Sequence, residues 1–159
     1  MPRRQELKEE LVALLRADLA TAEKAYRATT EAATHEESKP ENDKDTRALE
    51  QSYLARGQAL RVEELRTAVA EVSSMNVERR FDSGRAVLGA LVTVADAAGQ
   101  KATYWLVAHA GGSRLATGTV QVVTPQSPLG RALVGKTAGD EGEVVIAGSV
   151  RLVEVVAVG

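Results

Sequence analysis

The sequence predicts an α+β protein: an N-terminal antiparallel helical hairpin (coiled coil), followed by an antiparallel sheet domain with one short helix. Three observations predict it. From about residue 5 to residue 72 the chain is rich in Ala, Leu, Glu and Arg, which lose least on entering a helix. Past Ser73, Ser74 and Asn76 the apolar spacing changes from alternating threes and fours to two, or to short runs rich in Val. Between the two helical stretches, residues 35–45 read HEESKPENDKD, where Glu36, Glu37, Glu41, Asp43 and Asp45 crowd around a helix-breaking Pro40.

In the first helix, Val12, Leu15, Leu19, Ala22, Tyr26, Thr29 and Ala33 form a seam for a partner helix. The second supplies Ala48, Ala55, Val62, Leu65, Val69 and Val72, with Gln51 and Gln58 at two intervening seam positions. The runs are similar in length, so they fold back on each other. Alanine and glutamine make the seam weak near the turn, while Leu7, Leu11 and Leu14 add a second apolar stripe at the base. Stability is expected mainly from the base, because small side chains bury little area. A helix of about thirty residues reaches roughly 45 Å. The division expected is 1–75 for the hairpin, with its acidic tip near 35–45, and 76–159 for the sheet domain, with a hinge around 73–82.

Five strands are expected in AVLGALVTVADA, KATYWLVAHA, TGTVQVVTP, GEVVIAG and SVRLVEVVAV, with turns at Ala98-Gly99, Gly111-Gly112, Thr117-Gly118 and Gly139-Asp140. The short helix lies in SPLGRALVGK, where Ser127 suits an N-cap, Pro128 the first helical position and Gly135 the end.

The 159 residues suffice for one ordinary domain, or for a small one plus an extended element. A net charge of −2 excludes the broad positive field of an indiscriminate phosphate binder, so any nucleic-acid contact should be local or indirect. The absence of cysteine excludes disulfides, thiolate zinc and a cysteine nucleophile, in keeping with a reducing cytoplasm. MPRRQELKEE has no secretory apolar core and no segment is apolar for long enough to span a bilayer, so a soluble cytoplasmic protein with no membrane partner is expected. Aromatics are 3% of residues, too few for a base-stacking platform. His35 and His109 are isolated, and Trp105, in YWLVA, is read as core. Arg79, Arg80 and Arg85 flank the start of the sheet and fit either a solvated linker or a local cationic patch. On composition alone the acidic turn fits a solvated loop, with Lys39 and Lys44 neutralising part of it.

The segment TGTVQVVTPQSPLGRALVGKTAGDEGEVVIAGSVRLVEVV resembles the carboxy-terminal domain of the bacterial Gre transcript-cleavage factors. The specific part is SPLGRALVGK followed by GDEGEV, and the acidic-tipped hairpin upstream extends the resemblance over nearly the whole chain. The resemblance implies an FKBP-like carboxy-terminal domain docked on RNA polymerase near its secondary channel, with the coiled coil inserted down the channel. Acidic tip residues then help hold a second magnesium ion and a water at the polymerase catalytic centre, so that backtracked RNA is cut. Such carboxylates supply the hard oxygen ligands that magnesium takes, and two metals can clamp attacking and leaving oxygens.

On this resemblance Glu37 and Glu41 are the functional pair, acting in catalysis and as magnesium ligands only in the complex with polymerase. Ser127 and Pro128 match the family's Ser-Pro step and are carried over as partner contacts. The chain is then a monomeric, non-enzymatic factor without a tightly bound cofactor, its partners being RNA polymerase and backtracked RNA. Its tip departs from the family's Asp-Leu-Ser-Glu-Asn: aligning Glu41-Asn42 on Glu-Asn puts Ser38 at the first acidic position, and anchoring on Asp45 puts Glu37 there and Pro40 at the second. The tip is about one residue shorter than the family's. A channel-occupying regulator without cleavage activity is therefore the alternative. A prolyl isomerase is disfavoured, because such a pocket is normally lined by aromatics.

Overall fold

The computed structural model describes residues 3–37, 44–81 and 83–159. Two long helices, α1 (Arg4–Glu37) and α2 (Lys44–Ser73), precede β1 (Leu91–Ala95), β2 (Lys101–Leu106), β3 (Arg114–Leu115), β4 (Val120–Val123), α3 (Pro128–Leu133), β5 (Glu141–Ile146) and β6 (Ser149–Val158). The chain divides into two compact units: Val12–Glu71, and a second composed of Met1–Leu11 with Val72–Gly159. Among the described residues no helix is long and apolar enough to cross a membrane.

In the helical unit the seam is buried toward the base of the hairpin. Val12, Leu15, Val62, Leu65 and Ala68 are buried, whereas Leu19, Ala22, Tyr26, Thr29, Gln51, Ala55 and Gln58 are half-buried. Leu14 is exposed, contrary to the second apolar stripe expected to include it. Arg66 reaches Glu23 across the seam at 3.6 Å and Glu63 on its own helix at 2.6 Å. Both pairs are solvated, so they contribute little. The seam is closed by aliphatic side chains at one end and by small or polar ones at the other.

The sheet is mixed, in the order β3-β4-β2-β1-β6-β5. All neighbours are antiparallel except β2 and β4, which run parallel in the register Thr103↔Val120 to Leu106↔Val123. The long connection between them contains β3, a two-residue strand that no periodicity could reveal. A bulge at Thr93/Val94 shifts the pairing of β1 with β6. Ala86, Ala90, Val92, Val94, Leu106, Val123, Leu133 and Val155 form a buried cluster, with Leu129 of α3 packed against it. Trp105 is fully buried as expected, and its indole N–H donates to the Gly89 carbonyl at 3.1 Å.

All four expected turns contain a glycine at positive φ: Gly99, Gly112, Gly118 and Gly139. The hairpin between β5 and β6 closes through Ala147 and Gly148, at φ 51° and 78°. Two successive positive φ values match the twist of a tight hairpin, for which Ala is an unfavourable first residue.

The first two turns of α1 are stitched into the sheet unit. Leu7 and Leu11 are fully buried there. The Arg4 guanidinium lies 4.8 Å from the centre of the Phe81 ring and donates to the Arg79 carbonyl at 2.6 Å. Lys8 donates to the Met75 carbonyl at 3.1 Å. Glu10 accepts the Ala116 N–H at 2.9 Å, at the start of a turn in which Ala116, Thr117 and Gly118 all have positive φ. These links hold residues 75–81, most of the span expected to be a hinge, against helix α1.

Candidate functional site

The sequence singles out two places, one in each compact unit. The first is built on α3. Ser127 takes an extended backbone, accepts the Gly130 N–H at 3.0 Å and donates its hydroxyl to the Thr124 carbonyl at 2.8 Å. Pro128 fills the first helical position, where no amide donor is required. The helix stops before Gly135, at φ 81°, whose N–H is taken by the Ala86 carbonyl. Capping therefore fixes Ser127 and leaves Pro128 at the rim of a groove.

That groove has a volume of about 400 Å³ and runs between α3, β4 and the end of β5, with Val123, Leu129, Val144 and Val145 among its lining residues. Its floor depends on close backbone approach. A Cβ on Gly130 would lie 1.8 Å from the Thr124 carbonyl oxygen, and one on Gly111 would lie 3.0 Å from the Thr124 methyl. The lining is mainly aliphatic, with Thr124 and Ser127 as polar groups, and Ser127 already spends its hydroxyl on the cap. The arrangement suits a protein partner better than a reacting substrate.

The second place is the junction of the two long helices. Helix α1 ends at Glu37 and α2 begins at Lys44, so residues 38–43 make the connection. Glu37 is the last helical residue of α1, while its side chain and the whole of Glu41 lie outside the described residues. Among the described residues no three His, Asp or Glu side chains converge on a metal-sized site.

Of the remaining candidates, Arg79 and Arg85 have structural partners. His109 is half-buried in the connection after β2, and the His35 side chain lies outside the described residues. Arg85 donates to the Gly135 carbonyl at 3.3 Å, and Arg79 lies 5.9 Å from the centre of the Phe81 ring. Near them, the Thr137 N–H and hydroxyl both donate to the Asp140 carboxylate. Those bonds, with smaller contributions from Lys136 and Arg85, hold its pKa below the ordinary 3.8. Sequence reasoning missed the stack of Arg4 on Phe81, the grip of Glu10 on Ala116 and the groove itself, because each joins residues far apart in the chain.

Known proteins resemble this chain in sequence. Residues 82–159 match the family described as transcription elongation factor, GreA/GreB, C-term. Over 132 residues the chain is 33% identical to the transcription elongation factor GreA of Methylococcus capsulatus, covering 82% of this chain and 78% of that one. The chain is also 38% identical over 74 residues, 46% of each chain, to the transcription elongation factor GreA of Syntrophobacter fumaroxidans. Among solved structures, GreA factor homolog 1 (Gfh1) of Thermus thermophilus is 20% identical and overlays with a TM-score of 0.40, covering 93% of this chain and 94% of that one. The chain belongs to the GreA/GreB family of transcription elongation factors.

Proposed function

We propose that this elongation factor binds RNA polymerase at the secondary channel and stimulates the polymerase's own cleavage of backtracked RNA. The hairpin enters the channel, and Ser127 and Pro128 contact its rim. The chain is not itself an enzyme; it acts as a cytoplasmic monomer on the polymerase active site. Glu37 and Glu41 contribute hard oxygen ligands that help position a magnesium ion shared with that site. When bound, this metal supplies Lewis acidity to the oxygens that attack and leave.

The observation that carries the reading is the placement of the carboxylates: Glu36, Glu37, Glu41, Asp43 and Asp45 all lie within or beside the short connection between two helices of 34 and 30 residues. A cluster of like charges in a short turn is unfavourable unless solvent or a cation answers it. Family membership supplies the setting in which a cation would.

The test is RNA cleavage in a stalled, backtracked complex of the cognate polymerase at fixed magnesium. Shortened 3′ ends are expected with the wild-type chain and are lost in the Glu37→Ala, Glu41→Ala double variant. Full cleavage by a double variant that binds normally would overturn the role of this pair. A second reading, occupation of the channel without cleavage, is favoured by the presence of Lys39 and Pro40 in the middle of the tip. Inhibited synthesis without any cleaved product would select it.

A further inference from the structure

The outer face of the β5–β6 ribbon is apolar, acidic and uncovered. In register, Glu141 lies opposite Glu154, Glu143 opposite Leu152, and Val145 opposite Val150, so these six side chains share one face. Val145, Val150 and Leu152 are 58%, 62% and 49% exposed. On the other face of the same ribbon Val144 and Val155 are buried and Gly142 lies against the Ala132 carbonyl of α3, while Arg151, opposite Val144, is exposed. One ribbon thus presents a partly buried face and an opposite face, aliphatic and acidic, open to water. Val145 also lines the groove beside Ser127 and Pro128, so the two surfaces meet at β5.

Charge decides what such a face accepts. Two carboxylates directly opposite across a sheet repel, and among the described residues neither Glu141, Glu143 nor Glu154 has an ion-pair partner. The nearest cation in the same cross-sheet row is Lys101, which pairs with Ala95, the residue opposite Glu154. Two strand spacings put it roughly 10 Å from Glu154, about one Debye length, where it compensates little. A nucleic-acid backbone would be repelled. A second copy laid symmetrically on this face would set the carboxylates against one another, and a wholly apolar partner would bury them unpaired.

We propose that this face is an interaction surface for a polypeptide element carrying lysine or arginine beside aliphatic or aromatic side chains. This rests on the docking reading above and extends it: the element belongs to the polymerase whose rim the groove engages. Its apolar side chains cover Val145, Val150 and Leu152, and its cations relieve the Glu141–Glu154 opposition. The predicted signature is a pair whose removal helps the free protein while harming the complex.

The experiment titrates the full-length chain against cognate core RNA polymerase over a range of salt concentrations. It compares wild type with Glu141→Gln/Glu154→Gln, with Val150→Thr/Leu152→Thr, and with Pro128→Ala as a groove control, each checked for folding by Trp105 fluorescence. The amide pair is expected to melt at or above the wild-type temperature, yet to bind about tenfold more weakly and with a flatter salt dependence. The threonine pair, β-branched and therefore suited to a strand, is expected to bind more weakly at unchanged salt slope. If both pairs bind like wild type while Pro128→Ala weakens, this inference fails and the groove reading stands. Tighter binding by the amide pair would likewise overturn it, since the partner would then be acidic. If the wild type itself does not bind, the docking reading fails and this one with it.

Discussion

Two glycines show how far the same substitution depends on its surroundings. Gly130 sits inside α3, where Ala would ordinarily favour the helix by up to about 1 kcal/mol. Its missing Cβ is instead what lets the helix lie against the Thr124 carbonyl, only 1.8 Å from where that atom would be. Gly130→Ala is expected to cost more than about 2 kcal/mol, because backbone must move rather than a flexible side-chain end. Gly57 lies in α2 with nothing within 4 Å of its Cβ position, so Gly57→Ala is expected to stabilise by about 0.5–1 kcal/mol. Chemical denaturation followed by Trp105 emission for the first, and by helical circular dichroism for the second, would check the opposite signs. The cap at Ser127 was legible because its signals are local: Ser, Pro and a later Gly lie within nine residues. The steric reason for Gly130 was not, since Thr124 meets it only after β4 has turned into α3.

Each long helix was legible from its seam, and the seam also accounts for a gradient within the hairpin. Leu15, Val62 and Leu65 are buried at one end, while Gln51, Ala55 and Gln58 are half-buried toward the other. The Oε1 of Gln58 is shut off from water and has no hydrogen-bond partner, a cost of about 1–3 kcal/mol for a buried polar atom. Gln58→Leu is therefore expected to slow amide exchange through the middle of α2; unchanged or faster exchange would contradict the argument. The strands were less legible than the helices. Their Val-rich runs and glycine turns mark where they lie, but β1 is buried at four successive positions and shows no alternation. The parallel pairing of β2 with β4 depends on a connection whose own strand is two residues long. The acidic tip was conspicuous in composition, while Glu37 and Glu41 were assigned by resemblance, since nothing in the spacing of five carboxylates ranks one above another.

Across the whole molecule, the two compact units should report separately. Trp105 is the only tryptophan and belongs to the sheet unit, whereas α2 and most of α1 lie in Val12–Glu71. The weak end of the hairpin seam is the least buried of the apolar contacts, so helical signal is expected to fall before Trp105 emission shifts on heating. Superimposable transitions would show a single cooperative unit instead. The discontinuity of the sheet unit left no mark in the sequence, because Leu7 and Leu11 continue the same helical spacing as Val12 and Leu15.

That discontinuity also sets an order of events during synthesis. Residues 1–11 are made well before the rest of the unit in which Leu7 and Leu11 are buried, whose last strand ends at residue 158. The hairpin is in effect an insertion: sixty residues, Val12–Glu71, spliced between the first and second parts of another domain. Its tip can therefore vary in length and charge while the sheet unit keeps its fold, so that one scaffold is free to carry different chemistry at its end.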